Sequence, residues 1–317
     1  MKKLLKLLKW TGISLLILLL MLSVTVALRQ NMKYEAPYPD IKASADTNII
    51  ARGKQLVLGP AHCVNCHGPN NADSLLAQGL DVPLHGGHEW KLPFGSIYAR
   101  NITPDAETGI GNMQDKEIAR ILRYGVNAKG NAVLDFMPFH NMSDEDLTAV
   151  ISYLRAQKPV VNKVPDHQFN VMGKVIKAFM VKPHGPTVEV PKSVVRDSSV
   201  QYGEYLTMSV ANCNGCHTQR SMTGEYIGAP FAGGNPIPGE GGMPALTPPN
   251  ISGDSASRIQ AWDETHFIKR FRKGKIIEYS HMPWTAYGNM SDNDLKAIFK
   301  YLKSVRANEQ APQIAKR

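Results

Sequence analysis

All four cysteines of this chain fall in two copies of one pattern, Cys63-Val64-Asn65-Cys66-His67 and Cys213-Asn214-Gly215-Cys216-His217. Two thiols three residues apart lie on one helical turn. They can form thioethers with the two vinyl groups of a porphyrin, and the adjacent histidine is then aimed at its iron. Cys-x-x-Cys-His is the attachment signature of c-type haem. Other uses of paired cysteines fit poorly. A zinc ribbon sets its pairs roughly 15–20 residues apart, whereas these lie 150 apart. A thioredoxin-like motif needs a βαβ setting, and neither site reads as one. Four cysteines are also too few for a disulfide-dense scaffold. Two covalently bound haem c groups are therefore expected, one on Cys63 and Cys66 and one on Cys213 and Cys216. His67 and His217 are the expected proximal iron ligands.

Each iron would keep one open axial position, to be filled from 13 methionines and 10 histidines. Two methionine positions recur in both copies. Met142 and Met290 each precede a serine that reads as a helix cap; with Leu147 and Leu295 they have the spacing of a hydrophobic staple. Met137 and Met282 are each followed by proline, which disfavours helix for the residue before it. Such a loop can present a thioether to iron, so Met137 and Met282 are the expected distal ligands, with the staple methionines in reserve. His85, His88, His140 and His281 have no aligned counterparts and read as surface or haem-edge residues. A carbonyl near Pro83 or Pro230, ahead of the Gly-Gly loops, is one candidate acceptor for the proximal imidazole N–H; a plain turn is the other reading. Tyr98, Arg100 and Asn101 are candidates for propionate contacts.

The elements that must position these groups repeat at nearly the same interval. Gly53-Lys54-Gln55-Leu56 answers Gly203-Glu204-Tyr205-Leu206, and Asn101-Ile102-Thr103 answers Asn250-Ile251-Ser252. Asn141-Met142-Ser143-Asp144 answers Asn289-Met290-Ser291-Asp292. Two domains, 45–157 and 197–306, follow, joined by a linker over 158–196 and trailed by a tail, 307–317, that reads as disordered. Each domain reads as short helices between Gly/Pro loops, without convincing strands. Leu147, Val150, Ile151 and Leu154 mark the buried face of a closing helix, and Leu295, Ile298, Phe299 and Leu302 repeat it. Ser143 and Ser291 are its N-cap candidates. Inner helices are expected over Asp115–Tyr124 and Asp263–Lys273, stopped by Gly125 and Gly274. Gly53 and Gly203 mark a close helix crossing. In the linker, Phe169 to Met180 reads as an amphipathic segment that packs between the domains, with the membrane or a partner as the alternative surface.

Trp10 to Leu28 is an uncharged run of 19 residues, about the length that spans a bilayer core as a helix. Four lysines precede it, so the positive-inside tendency leaves everything after the membrane anchor, residues 1–33, outside the cytoplasm. A cleaved signal sequence, ending at Thr25-Val26-Ala27, is the competing reading. Residues 1–29 supply +5 of the formal charge of +9. The remaining residues balance at +4, which argues against a nucleic-acid partner.

With these residues in view the chain resembles class I cytochrome c domains, by its CxxCH motifs, its Asn101-Ile102-Thr103-Pro104-Asp105 run and its Met137-Pro138…Met142-Ser143-Asp144-Glu145-Asp146-Leu147 block. It is most similar to the membrane-bound cytochrome subunits of bacterial periplasmic alcohol, aldehyde and gluconate dehydrogenases. That resemblance implies an all-α fold, here an N-terminal transmembrane helix followed by two tandem cytochrome c domains. It implies haem on the paired cysteines, proximal His67 and His217, and distal Met137 and Met282. Two features depart from it: no third CxxCH is present, where many such subunits have three haems, and the apolar stretch is N-terminal. His/Met ligation fills both axial sites, which suits electron transfer rather than catalysis at the iron. A membrane-anchored dihaem electron carrier on the periplasmic side of the inner membrane is expected. It would stand between a periplasmic dehydrogenase or quinol chain and a quinone, cytochrome or terminal oxidase. A subunit of a haem–copper oxidase and a dihaem peroxidase-like oxidoreductase are the alternatives.

Overall fold

The computed structural model describes residues 1–221, 224–239 and 242–306; the 307–317 tail lies outside them. The chain opens with α1 (Lys2–Arg29), followed by α2 (Thr47–Leu58), α3 (Cys63–His67) and α4 (Ala72–Ala77). A hairpin of β1 (Glu89–Leu92) and β2 (Gly95–Tyr98) precedes α5 (Asp115–Tyr124) and α6 (Asp144–Ala156). The linker holds β3 (Gln168–Phe169) and α7 (Val171–Phe179). The second half runs through α8 (Val200–Tyr205), a π turn (Leu206–Val210), α9 (Cys213–His217), α10 (Glu264–Arg272), α11 (Trp284–Gly288) and α12 (Asp292–Ser304).

The expected closing helices are present as α6 and α12, and local chemistry starts both. The Ser143 hydroxyl accepts the Asp146 N–H at 3.1 Å and the Ser291 hydroxyl the Asp294 N–H at 3.1 Å. Acidic residues crowd both first turns, where they complement the helix dipole. Leu147, Ile151, Leu295 and Leu302 are among the most deeply buried side chains. The inner helices α5 and α10 end near Gly125 and Gly274, at φ of 61° and 68°, a left-handed conformation that stops a helix and suits glycine.

Two elements differ from expectation. A small antiparallel sheet, ordered β1-β2-β3, replaces what reads in sequence as loop. Its strands are two to four residues long, too short for a period-2 pattern to stand out. β3 comes from the linker and pairs with β2 through Gly95–Phe169 and Ser96–Gln168, a contact that no local pattern encodes. The linker helix α7, in turn, is not inserted between the domains. It packs against β3 and against the C-terminal end of α1.

The two halves meet through a buried polar network. Arg52 on α2 makes a two-pronged ion pair with Asp146, at 2.8 and 2.9 Å, and Asp146 has no exposed side-chain surface. From the second half, the Tyr205 hydroxyl donates to Asp146 at 2.8 Å, and the Tyr202 hydroxyl accepts from Arg52 at 3.4 Å while donating to Asp294 of its own half at 3.0 Å. His62 and Tyr287 meet edge to face at 5.5 Å. Replacing Arg52 by methionine strands a buried carboxylate, and breaking a buried pair on one side costs about 3 kcal/mol. A guanidinium titration of the haem-loaded chain in detergent should show that loss; a shift below about 1 kcal/mol would mean that Tyr205 and the α6 cap suffice to hold Asp146.

α1 is long and apolar enough to cross a membrane, and none of its residues is buried. The Thr11, Ser23 and Thr25 hydroxyls bond back to the carbonyls four residues earlier, so these polar groups are satisfied within the helix as lipid requires.

Candidate functional site

Two cavities, of about 480 and 260 Å³, open beside the two Cys-x-x-Cys-His helices. Cys63, Cys66, His67 and Met137 line the first; Cys213, Cys216, His217 and Met282 line the second. Groups separated by up to 74 residues in sequence are thus brought to one wall-and-rim arrangement, twice. The remaining lining is largely apolar, with Ile110, Leu122, Val150 and Leu154 in the first and Ile259, Phe267, Ile298 and Leu302 in the second.

Each motif helix is launched the same way. His62 and Asn212, immediately before the first cysteine, adopt left-handed backbone at φ of 39° and 50°. Outside glycine that conformation is uncommon and favours Asn, Asp and His. The turn drives the chain into α3 and α9 with both thiols on one side. Burial pushes the Cys63 and Cys213 thiols up to about 12, their neighbouring cysteines adding to the shift. Among the described residues none of the four cysteines is in a disulfide, and no cluster of three or more His, Cys, Asp or Glu forms a metal site. Paired thiols in apolar cavities, each with an adjacent imidazole, fit thioether attachment of a porphyrin better than a zinc ion.

The two motif histidines are held by carbonyls. His67 Nδ1 lies 2.7 Å from the Arg100 carbonyl oxygen, and His217 Nδ1 lies 2.8 Å from that of Pro249. Such a bond fixes ring orientation and makes Nδ1 the protonated nitrogen, leaving Nε2 as the donor atom. Burial lowers both imidazole pKa values against the opposing effect of these bonds, which favours the neutral ligand form. These acceptors correct the reading that placed a carbonyl near Pro83 or Pro230. The Gly-Gly loops after those prolines instead brace the motif helices, since the Gly86 and Gly233 N–H groups donate to the carbonyls of His67 and His217, at 2.8 and 2.7 Å.

The recurring Asn-Ile-Thr/Ser run explains how the acceptors are aimed. The Asn101 side-chain oxygen accepts the Thr103 N–H at 3.0 Å and its hydroxyl at 2.8 Å; Asn250 does the same for Ser252, at 2.9 and 2.8 Å. This tight side-chain turn fixes the peptide just ahead of it, whose carbonyl meets the imidazole. Its sequence signal was the repeat itself, which marked both runs without revealing their role. Asn101 is therefore committed to Thr103, Thr108 and the Val160 carbonyl. Tyr98 donates to Glu89, and Arg100 to Asp166 and the Pro165 carbonyl.

The two methionine pairs separate by what holds them. Met142 and Met290 are 1% and 3% exposed, and their carbonyls accept from Arg123 and Arg272 at 2.6 and 2.7 Å. The same arginines pair with Asp144 and Asp292 on the closing helices. That clamp fixes the chain at the start of α6 and α12, as a staple residue requires. Met137 and Met282 lie in tight turns in which their carbonyls accept from Phe139 and Trp284, both at 2.8 Å. Pro283, at φ −76° and ψ 65°, has inverse γ-turn geometry. Both pairs border the cavities, as does Met113 in the first. Of the unmatched histidines, His140 is engaged at both nitrogens, by Asp135 and the Arg123 carbonyl. His85 and His88 do not line the first cavity, while His281 lines the second.

Fold and cavities together define two tandem helical units of one plan, each with a cavity beside its Cys-x-x-Cys-His helix. The chain belongs to the cytochrome c family, whose pattern it matches over residues 50–158 and 202–306, and membership implies covalently bound haem c. It is 32% identical over 83% of its length to the cytochrome c subunit of a quinone-type alcohol dehydrogenase from Gluconobacter oxydans, covering 56% of that protein. It is 26% identical over 85% of its length to the cytochrome c subunit of gluconate 2-dehydrogenase from Pantoea cypripedii, covering 62% of it. The chain thus spans little more than half the length of these curated relatives. A diheme c-type cytochrome from Cereibacter sphaeroides is 24% identical over 83% of this chain, with 88% of that protein covered.

Proposed function

We propose that this chain is a membrane-anchored dihaem electron carrier, with units 45–157 and 197–306 each holding one haem c. It stands on the periplasmic side of the inner membrane and passes electrons between a dehydrogenase or quinol chain and a downstream acceptor. The observation that carries this reading is the duplicated cavity: thiol pair, carbonyl-oriented imidazole and loop methionine occur together twice. Cys63, Cys66, Cys213 and Cys216 would attach the groups, and His67, His217, Met137 and Met282 would ligate the irons. Bound haem would supply one-electron chemistry. The chain's own part is to orient the imidazoles, present the thioethers and keep water away with apolar walls. The relatives that are dehydrogenase subunits support a dehydrogenase as electron donor, and α1 supports retention at the membrane.

Purified after expression with a haem-attachment system, the chain should carry the mass of two porphyrins, and each Cys-to-Ala double variant that of one. Isolation from detergent-solubilised membranes should bring down a flavin, molybdenum or quinoprotein dehydrogenase. Recovery with a copper-containing oxidase instead would overturn the assigned partner.

A further inference from the structure

One side of α7 is seated on the first domain. Gly173 and Ala178 are buried there, and a Cβ on Gly173 would come within 2.2 Å of the Phe94 carbonyl oxygen. The other side is bare. Val171, Met172, Val175, Phe179 and Met180 are 79%, 47%, 38%, 40% and 53% exposed. Met172, Val175 and Phe179 follow the i, i+3, i+7 spacing of a single stripe.

The position of that stripe singles out its occupant. α7 is bonded to the end of the apolar helix α1: Arg29 Nε donates to the Ala178 carbonyl at 3.2 Å, and the Arg29 guanidinium lies 5.2 Å from the Phe179 ring centre. Lys177 Nζ reaches Asn31 Oδ1 at 3.2 Å, and the Tyr34 hydroxyl reaches the Val181 carbonyl at 3.4 Å. The bare stripe therefore begins where the membrane-length helix ends, and Arg29, Lys33 and Lys177 are grouped around that junction. An apolar stripe with a basic border matches acyl chains under anionic headgroups.

We propose that α7 is an interfacial helix. Its stripe enters the headgroup–acyl boundary of the bilayer that α1 crosses, and the exposed Arg29 and Lys33 at the junction meet lipid phosphates. This rests on reading α1 as a retained anchor. The same segment walls the first cavity through Phe169, Lys177 and Val181, whereas no linker residue lines the second. The first domain's haem site is thereby the one held at the lipid surface.

The test uses the full haem-loaded chain in nanodiscs of phosphatidylethanolamine and phosphatidylglycerol doped with a phospholipid carrying a diazirine on its acyl chain. After illumination, peptide mass spectrometry should find label in residues 10–28 and also in 171–180. The double variant Val175→Asp, Phe179→Asp should lower labelling of 171–180 by about tenfold, since both apolar insertions are lost, with α1 labelling and the haem spectrum unchanged. Label in α1 but not in 171–180, or labelling of 171–180 that the double variant leaves intact, overturns the interfacial helix while the anchor stands. Absence of label from both segments overturns the anchor as well.

Discussion

Met137→Ala and Met282→Ala should each abolish the sulfur-to-iron charge-transfer absorption of one haem and leave the other's intact, and the double variant should lose both. The potential of the affected centre should fall by on the order of 0.1–0.3 V, a fraction of the roughly 0.8 V that axial ligands command. The expectation rests on what holds each methionine. Met142 and Met290 have their carbonyls clamped by Arg123 and Arg272, and their side chains are buried ahead of the closing helices. Met137 and Met282 line the cavities from proline turns, partly buried, with their carbonyls accepting from Phe139 and Trp284 and no arginine clamp on them. Met142→Leu and Met290→Leu should therefore cost some stability yet leave both spectra unchanged. Optical redox titration of the four single variants decides the matter. If the leucine pair disturbs the spectra and the alanine pair does not, the ligand assignment is reversed.

The second large effect is expected at the helix crossings. A Cβ on Gly53 would stand 1.9 Å from the Ala149 carbonyl oxygen and 2.7 Å from the Tyr153 Cβ. On Gly203 it would stand 1.9 Å from the Ala297 carbonyl oxygen and 2.9 Å from the Tyr301 Cβ. Backbone sits on both sides of each contact, so no side-chain rotation relieves it; α2 would have to part from α6, and α8 from α12. Those pairs build the two cores, and Leu56, Leu147, Leu206 and Leu295 are fully buried within them. Gly53→Ala or Gly203→Ala should cost about 5 kcal/mol, in the range that marks a broken core. Lower yield of the matured protein and an early denaturation midpoint would report it. Gln55→Ala, exposed on the same helix, should stay within about 0.5 kcal/mol of the parent. A Gly53→Ala protein as stable as that control would show that the helices can separate at little cost.

The readable features were those whose signal is local or repeated. Cys-x-x-Cys-His declares its chemistry in five residues. The serine caps, the glycine stops and the apolar spacing of α6 and α12 act within one or two turns, and duplication marked each of them a second time. The Met-Pro turns were legible because proline constrains the residue before it. The carbonyl that orients each proximal imidazole was not. His67 and Arg100 are 33 residues apart, His217 and Pro249 32, and any carbonyl in the intervening loops has the same chemistry. The Asn-Ile-Thr/Ser repeat pointed to the right place without stating why.

Long-range contacts were beyond reach for the same reason. β3 pairs with β2 across about 70 residues, and its two residues carry no periodicity of their own. Nothing local distinguishes Tyr202 and Tyr205 from ordinary core aromatics, yet they bond the two halves, Tyr202 through Arg52 and Tyr205 through Asp146. The amphipathic character of α7 was evident from residue order; the surface it occupies was not, because helix spacing reveals an apolar face and never its partner. The chain's order of residues thus marked the candidate groups for the chemistry, their occurrence as two sets, and the helices that frame each set. Only the folded arrangement decided which carbonyl holds each histidine, how the halves interlock and where the linker rests, since those depend on encounters between segments whose separate sequences do not encode one another.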